Sequence, residues 1–520
     1  MIVDDLTARL RPIEREANEA WWVANTEASP EADQRRTELE LALREVLSDA
    51  DAFAAVEDAQ NDASIDQSTH RQLVLLRNRM RPNQIPADLR RQIVELETEV
   101  ESVYATHRGE IDGERVNDNR IAEILATSDD VGLRRRAWEA SKSVGAAVRD
   151  KVLELVRLRN VAAGTLGAAS WYELALDAYE LDADRLFATL AELESATTEP
   201  FRAWKSALDA GRATRYGCAV DALRPWHEDD VFFQEPPRTT GLGLDRLFAD
   251  ADLVGLTTST YDGLGLDLRP VVDRSDLTPR EGKSQHAFCM DIDRAGDVRV
   301  LSNNAANERW MGTMLHEFGH AAYDVGISRD LPWLLHEPAH MLTTEAIAML
   351  FGRLARDATW LHSVVGLPAA EAERMRAAVD ESQRGAMLVF ARWVLVMTHF
   401  ERGLYERPAD DHNRRWWDLV ERFQLVRRPD DRDAPDWAAK IHLAVAPVYY
   451  QNYLYGELLA SQLHDALGRD CGGLVGHVDA GKWLTERVFR PGASVRWDHL
   501  VETATGGPLR AQHFIAQFVG

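Results

Sequence analysis

Apolar residues recur every three or four positions along most of the chain, in long segments whose remaining positions are charged. TELELALREVL at 37–47, LRRQIVELETEVESVYATH at 89–107 and GLRRRAWEASKSVGAAVRDKVLELVRLRN at 132–160 carry the pattern and predict amphipathic helices. The most apolar run, MLVFARWVLVMTHF from Met387 to Phe400, is short and interrupted by Arg392, so it predicts a buried helix and not a membrane span. Alternating runs rich in Val, Ile and Thr are scarce, which sets aside a β-sandwich or a doubly wound sheet. The clearest exception is QHAFCMDIDRAGDVRVLSN, Gln285 to Asn303, where two alternating runs flank Asp-Arg-Ala-Gly-Asp and predict a β-hairpin. A looser Pro- and Gly-rich stretch, RPWHEDDVFFQEPPRTTGLG at 224–243, reads either as a domain boundary or as a loop lining a site. The segments up to about Arg115 are the most charged and could cover what the second half contains.

Composition narrows the class. A chain of 520 residues with 45% hydrophobic positions can bury a large core and is too apolar for disorder. Sixty Lys and Arg against 85 Asp and Glu leave a formal charge of −25, which repels nucleic acid and anionic membranes. The opening MIVDDLTARLRP lacks the basic-then-apolar pattern of a leader, and Cys218, Cys289 and Cys471 are too few and scattered for a disulfide framework. The expectation is a soluble, cytoplasmic protein.

Residues 316–320 read His-Glu-Phe-Gly-His. A helix brings positions i and i+4 onto one face, so His316 and His320 can reach one Zn²⁺ while Glu317 takes a proton from water. The surrounding NERWMGTMLHEFGHAAYDVG predicts a helix, with Asn303 or Asn304 as its cap and Gly326 at its end. A second match, His336-Glu337-Pro338-Ala339-His340, carries a proline that would break the helix it needs. Its histidines read as loop or first-turn residues, or as lining for a substrate channel.

A catalytic zinc needs a third protein ligand. Tyr323 and Gly326 occupy the places where a compact three-histidine motif would put its glycine and last histidine. Glu345, 25 residues past His320, opens TTEAIAMLFGRLARD, a segment that reads as a helix capped by Thr343 or Thr344. Placed in that helix's first turn, Glu345 is either the third ligand or a solvated glutamate favoured by the helix dipole. Its spacing from the motif favours the ligand.

With these residues in place the chain resembles the angiotensin-converting-enzyme-like peptidyl-dipeptidases, gluzincins related to the thimet-type oligopeptidases. QHAF at 285–288, KIHLAVAPVYYQNYLYG at 440–456 and EREANEAWWVANTE near the start extend the resemblance beyond the zinc motif. It implies a mainly α, two-lobed helical metallopeptidase fold around a deep channel, with a small β-hairpin before the zinc-binding helix. The whole chain, 1–520, would be one domain, with 1–115 as an N-terminal helical lid and 283–465 as the zinc-site and substrate-binding core. It implies one Zn²⁺ on His316, His320 and Glu345, with Glu317 as general base. Tyr453 and His442 would donate to the oxyanion, as a phenol and an imidazole can. Lys440 and Tyr450 would hold a substrate's C-terminal carboxylate. His286 and the backbone of Ala287, on the hairpin's edge strand, would pair with an extended peptide.

The chain also departs from the family. Met349 stands where an aspartate orients a zinc histidine, so that partner must come from elsewhere. Asn452 replaces a chloride-binding arginine. Around WHEDD the family's amide, a further carboxylate donor, is replaced by Glu228 or a neighbour. One extra residue between His442 and Tyr453 leaves Tyr449, Tyr450 and Tyr455 as competing assignments. The expected function is zinc-dependent hydrolysis of short peptides with release of C-terminal dipeptides. The alternatives are an amide hydrolase for one peptide-like metabolite and a silent peptide-binding scaffold. The substrate is a short peptide or peptide-like small molecule, received in a positive pocket made by Zn²⁺ and Lys440.

Overall fold

The computed structural model describes residues 2–27, 29–236 and 243–519. It is mainly α-helical: among the described residues the strands form two antiparallel hairpins and nothing larger. The chain divides into two compact units. The first comprises residues 1–84, 241–380 and 455–514, and the second 85–240, 381–454 and 515–520. Positions 237–242 of the Pro- and Gly-rich stretch lie outside the described residues.

In the first unit, helices Ile2–Glu27, Pro30–Leu47, Ala50–Gln60 and Gln67–Met80 follow one another. Ser29, Asp49 and Asp66 cap the last three by accepting backbone N–H groups, as short oxygen-bearing side chains do at helix starts. Their apolar faces meet in a core that includes Leu6, Leu10, Val56, Leu73 and Met80, closed by Trp333 and Leu334. The expected hairpin pairs Phe288–Asp291 with Val298–Leu301, and Arg294 and Gly296 turn the chain with positive φ. Trp21 and Trp22 of the first helix pack edge-on against Phe288, 4.4 and 5.9 Å between centroids, which fixes the hairpin on that helix. Helix Glu308–Gly326 follows the hairpin, and helix Met341–Gly352 packs on it.

The second unit contains helices Ala87–Thr106, Val131–Thr165 and Ala183–Tyr216, part of Ala369–Glu406, and His412–Gln424. A second, smaller hairpin, Gly109–Ile111 with Glu114–Val116, turns through Asp112 and Gly113, both at positive φ; the Asp-Gly pair was its only sequence signal. The run from Met387 to Phe400 is a buried helical segment, as its pattern predicts. Arg392 within it is 2% exposed and donates to the Glu194 carbonyl and the Thr198 hydroxyl, which makes its burial tolerable.

Candidate metal and carboxylate-binding residues

The helix carrying the His-Glu-Phe-Gly-His run begins at Glu308, capped by Asn307, whose side chain accepts from the Trp310 N–H at 2.9 Å. Asn303 and Asn304, the expected caps, are engaged otherwise. Asn303 donates to the Ser284 carbonyl, and the Asn304 side chain accepts from the Ser302 hydroxyl. The second helix starts at Met341, with His340 as its cap: the ring Nδ1 accepts from Leu342 N–H and Thr343 Oγ1 accepts from His340 N–H. Glu345 therefore lies in the second turn, not the first, where the attraction of a helix N-terminus for a carboxylate has largely faded.

The two helices approach closely at Gly319. A Cβ there would sit 2.8 Å from the Ala348 Cα, so only glycine allows this approach. The consequence is convergence: one ligand atom each from His316, His320 and Glu345 lies within 4.8 Å of the others. The His316 and His320 rings stand 5.0 Å apart at 84°, and His316 Nε2 is 3.8 Å from a Glu345 oxygen. His320 Nδ1 is 2.7 Å from the Thr344 hydroxyl, which leaves its Nε2 as the free ligand atom. Tyr261 donates to the Leu315 carbonyl at 2.7 Å and secures the turn before His316.

Burial sets the protonation states. It brings His316 down to about 4 and pushes His320 well below its ordinary value, helped by His316, so both imidazoles are neutral and able to ligate. Burial, with Glu345 nearby, pushes Glu317 up to about 8; burial, with Glu457 nearby, pushes Glu345 up to about 7. Two neutral imidazoles and a carboxylate form a donor set that suits zinc, and a buried pair of glutamates without a cation is electrostatically costly. The residues present fit the metal.

The decoy motif behaves as its proline dictates. His336 ends the short turn Trp333–Leu335, with its ring nitrogens 2.8 and 2.7 Å from the Arg294 and Leu331 carbonyls, and Pro338 lies outside any helix.

The His286-Ala287 pair is not on the strand but just before it, with His286 exposed. Extending the ladder by one pair would oppose Ala287 to Ser302. On the other side of that strand the Ser302 N–H donates to the Asp276 carbonyl, and the Ser302 carbonyl accepts from Lys283. The ladder ends at Phe288 and Leu301.

In the second unit Lys440 is 8% exposed and donates to Gln234 Oε1 at 2.7 Å. Its ammonium lies 5.2–5.5 Å from the ring centres of Phe232, Trp393 and Tyr450. The Tyr450 hydroxyl accepts from Trp393 Nε1 at 2.8 Å, and the His442 ring is 5.1 Å from that of Tyr450. Tyr453 contacts the rings of Tyr449 and Tyr450 at 5.0 and 5.5 Å. Burial brings Lys440 down to about 8 against the opposing pull of Asp230 and Glu235, and burial with Lys440 nearby brings His442 to about 4.

Two residues escaped the sequence reading. Gln234 supplies the amide beside Lys440, where Glu228 or a neighbour was expected to replace it; Glu228 is spent in a buried ionic cluster with Lys205 and Arg212. Thr344, read only as a possible cap, meets the His320 ring instead.

Among the described residues no helix is long and apolar enough to cross a membrane. A family model described as angiotensin-converting enzyme matches residues 1–201 and 277–518. The interval it leaves out contains Gln234.

Proposed function

The chain belongs to the angiotensin-converting-enzyme family, and from that premise we propose that it is a zinc peptidase that releases dipeptides from the C-termini of short peptides. The observation that carries the reading is the convergence of His316, His320 and Glu345, with the buried Glu317 adjacent in sequence to the first of them. Bound there, zinc supplies Lewis-acid polarisation of the scissile carbonyl and makes water a stronger acid. Glu317 accepts the proton of the attacking water on its carboxylate and returns it to the leaving amine. Burial raises the Glu317 carboxyl and a cation held beside it would lower it again, which favours a group that both takes and gives a proton. Tyr453, through its phenol, and His442, through the N–H of a neutral ring, donate to the oxyanion.

Lys440, Gln234 and Tyr450 receive the substrate's terminal carboxylate, and this group is what favours dipeptide release over internal cutting. Charged and neutral donors converge on the same small volume in the second unit. His286 and the Ala287 backbone contribute to holding an extended peptide.

The test is digestion of a defined peptide mixture by zinc-loaded wild type and Glu317→Gln, read by mass spectrometry. Expected are dipeptides from free C-termini, little cleavage of C-terminally amidated peptides, and a loss of about 10²–10⁴-fold in rate for Glu317→Gln. Equal cleavage of amidated peptides would remove the dipeptidase reading. Inertness toward every peptide by a zinc-loaded wild type would leave an amide hydrolase or a binding scaffold.

A further inference from the structure

The two zinc-binding histidines are held unequally. His320 has a partner for its second ring nitrogen, the Thr344 hydroxyl at 2.7 Å. Among the described residues Nδ1 of His316 has no protein hydrogen-bond partner: a Cβ on Gly352 would sit 3.7 Å from it, and one on Gly456 would sit 3.1 Å from the Met349 sulfur. The adjacent threonines divide their work. Thr343 is fully buried and belongs to the cap, its hydroxyl donating to the His340 carbonyl at 2.6 Å and accepting from the His340 N–H at 3.1 Å. Thr344 makes no side-chain bond to the cap, and its hydroxyl is given to the imidazole.

A ring nitrogen can ligate a metal only through its lone pair, so the proton of a neutral imidazole must sit on the other nitrogen. For His320 that other nitrogen is Nδ1, and its N–H needs an acceptor. We infer that Thr344 is the positioning residue of the metal site: its oxygen accepts the Nδ1 proton of His320, fixing the tautomer and ring angle that present Nε2 to zinc. A hydroxyl has a property a carboxylate lacks, since it can also donate. With no metal bound, Thr344 can turn its own proton toward Nδ1 and satisfy the opposite tautomer. One side chain thus serves both states of the ring, and metal occupancy chooses the direction of the hydrogen bond. Because Thr344 immediately precedes Glu345 on the same helix turn, any shift of that helix moves one ligand and the support of another together.

The inference rests on the zinc reading above, and the test separates the two. Zinc affinity is measured by competition with a chromophoric chelator for wild type, Thr344→Val and Thr344→Ser, alongside the thermal unfolding of each metal-free protein. Thr344→Val keeps the shape and removes the hydroxyl, so its affinity should fall by about 10-fold or more. Thr344→Ser should stay within about 3-fold of wild type, since the oxygen is retained. The metal-free proteins should unfold within a few degrees of one another, Thr344→Val lowest by the loss of its hydrogen bond to His320, because the hydroxyl serves the ring and not the helix cap. Selective ¹⁵N labelling of histidine should show His320 protonated at Nδ1 in the zinc-loaded wild type. Wild-type affinity in Thr344→Val, or a His320 proton on Nε2 in the loaded protein, overturns the inference while leaving zinc binding intact. A wild type that takes up no zinc overturns the reading beneath it.

Discussion

The candidate metal ligands and the lysine-centred group are built from different materials. The former stand on two regular helices whose close contact is allowed by a glycine, and on that frame three ligand atoms converge. In the latter, Lys440 and His442 stand on an irregular stretch that runs up to the helix opened by Tyr450: the short turn Asp436–Ala439, the single turn His442–Val445, and Val448, a buried β-branched residue at φ +57°. Such a conformation costs on the order of 1–3 kcal/mol and persists only when its surroundings hold it. Here they do. Glu401 accepts the Val448 N–H at 2.8 Å, Gln451 donates to its carbonyl at 2.5 Å, and Arg159 donates to the carbonyls of Leu443 and Ala444. A site made of helix periodicity is stiff because each ligand has one place to be. A site made of loops is stiff only where buried polar groups pin its backbone.

The sharpest way to break the helix-built region is to part its helices. Gly319→Val would force its side chain into the Ala348 backbone, at a cost of about 1–3 kcal/mol by overpacking, and would spread the ligands as the helices separate. Calorimetry should report the lower stability, and chelator competition a loss of zinc affinity larger than that of Thr344→Val. As a control, Gly468→Ala on the helix Tyr450–Cys471 meets nothing within 4 Å and should be neutral or slightly stabilising. Stable zinc binding by Gly319→Val would mean that side chains, not the close helix contact, assemble the site.

The loop-built region is broken through charge. Lys440→Met keeps the stem and removes the ammonium, so KM for free-C-terminus peptides should rise by about 10- to 100-fold, the worth of a charge-assisted hydrogen bond, with kcat less affected. The same contact gives a pH signature. Burial holds Lys440 near 8, so its charge is present below that value and lost above it. KM in the wild type should therefore climb as pH passes upward through about 8, and Lys440→Met should have a high KM with no such climb. A flat wild-type KM between pH 6 and about 9 would remove Lys440 from carboxylate recognition.

The same contrast explains what could be read from the chain. His316, Glu317 and His320 were legible because their relation is local, a single turn of helix, and the proline in the second motif excluded it by an equally local rule. The helix starts lie a few residues from the caps the local pattern suggests, Asn307 and not Asn303 or Asn304, His340 and not Thr343 or Thr344. Asn303 and Asn304 have the right chemistry for a cap, yet their side chains are taken by Ser284 and Ser302, which no local pattern announces. Gln234 lies 206 residues from Lys440, in a stretch legible only as loop, and nothing in its neighbours indicates which lysine it meets. Glu228 shows the same limit from the other side: its charge suggested a carboxylate in the binding group, and tertiary contacts with Lys205 and Arg212 claim it instead.

The smallest effect is expected where the regular hairpin ends. The segment before Phe288 lies outside the ladder, and His286 is exposed on it. If this segment holds a peptide, it does so through the Ala287 backbone, where an amide can pair with an extended strand. Ala287→Pro removes that amide's donor and should raise KM by about 5- to 10-fold, the worth of one neutral hydrogen bond. His286→Ala leaves the backbone untouched and should change KM by less than about 3-fold, within the range of an exposed polar contact. The pair is informative because both residues sit in the same irregular segment and differ only in which part of each would touch substrate. A large effect of His286→Ala with none for Ala287→Pro would invert the assignment: recognition would then run through the imidazole, and the hairpin would serve only to present it.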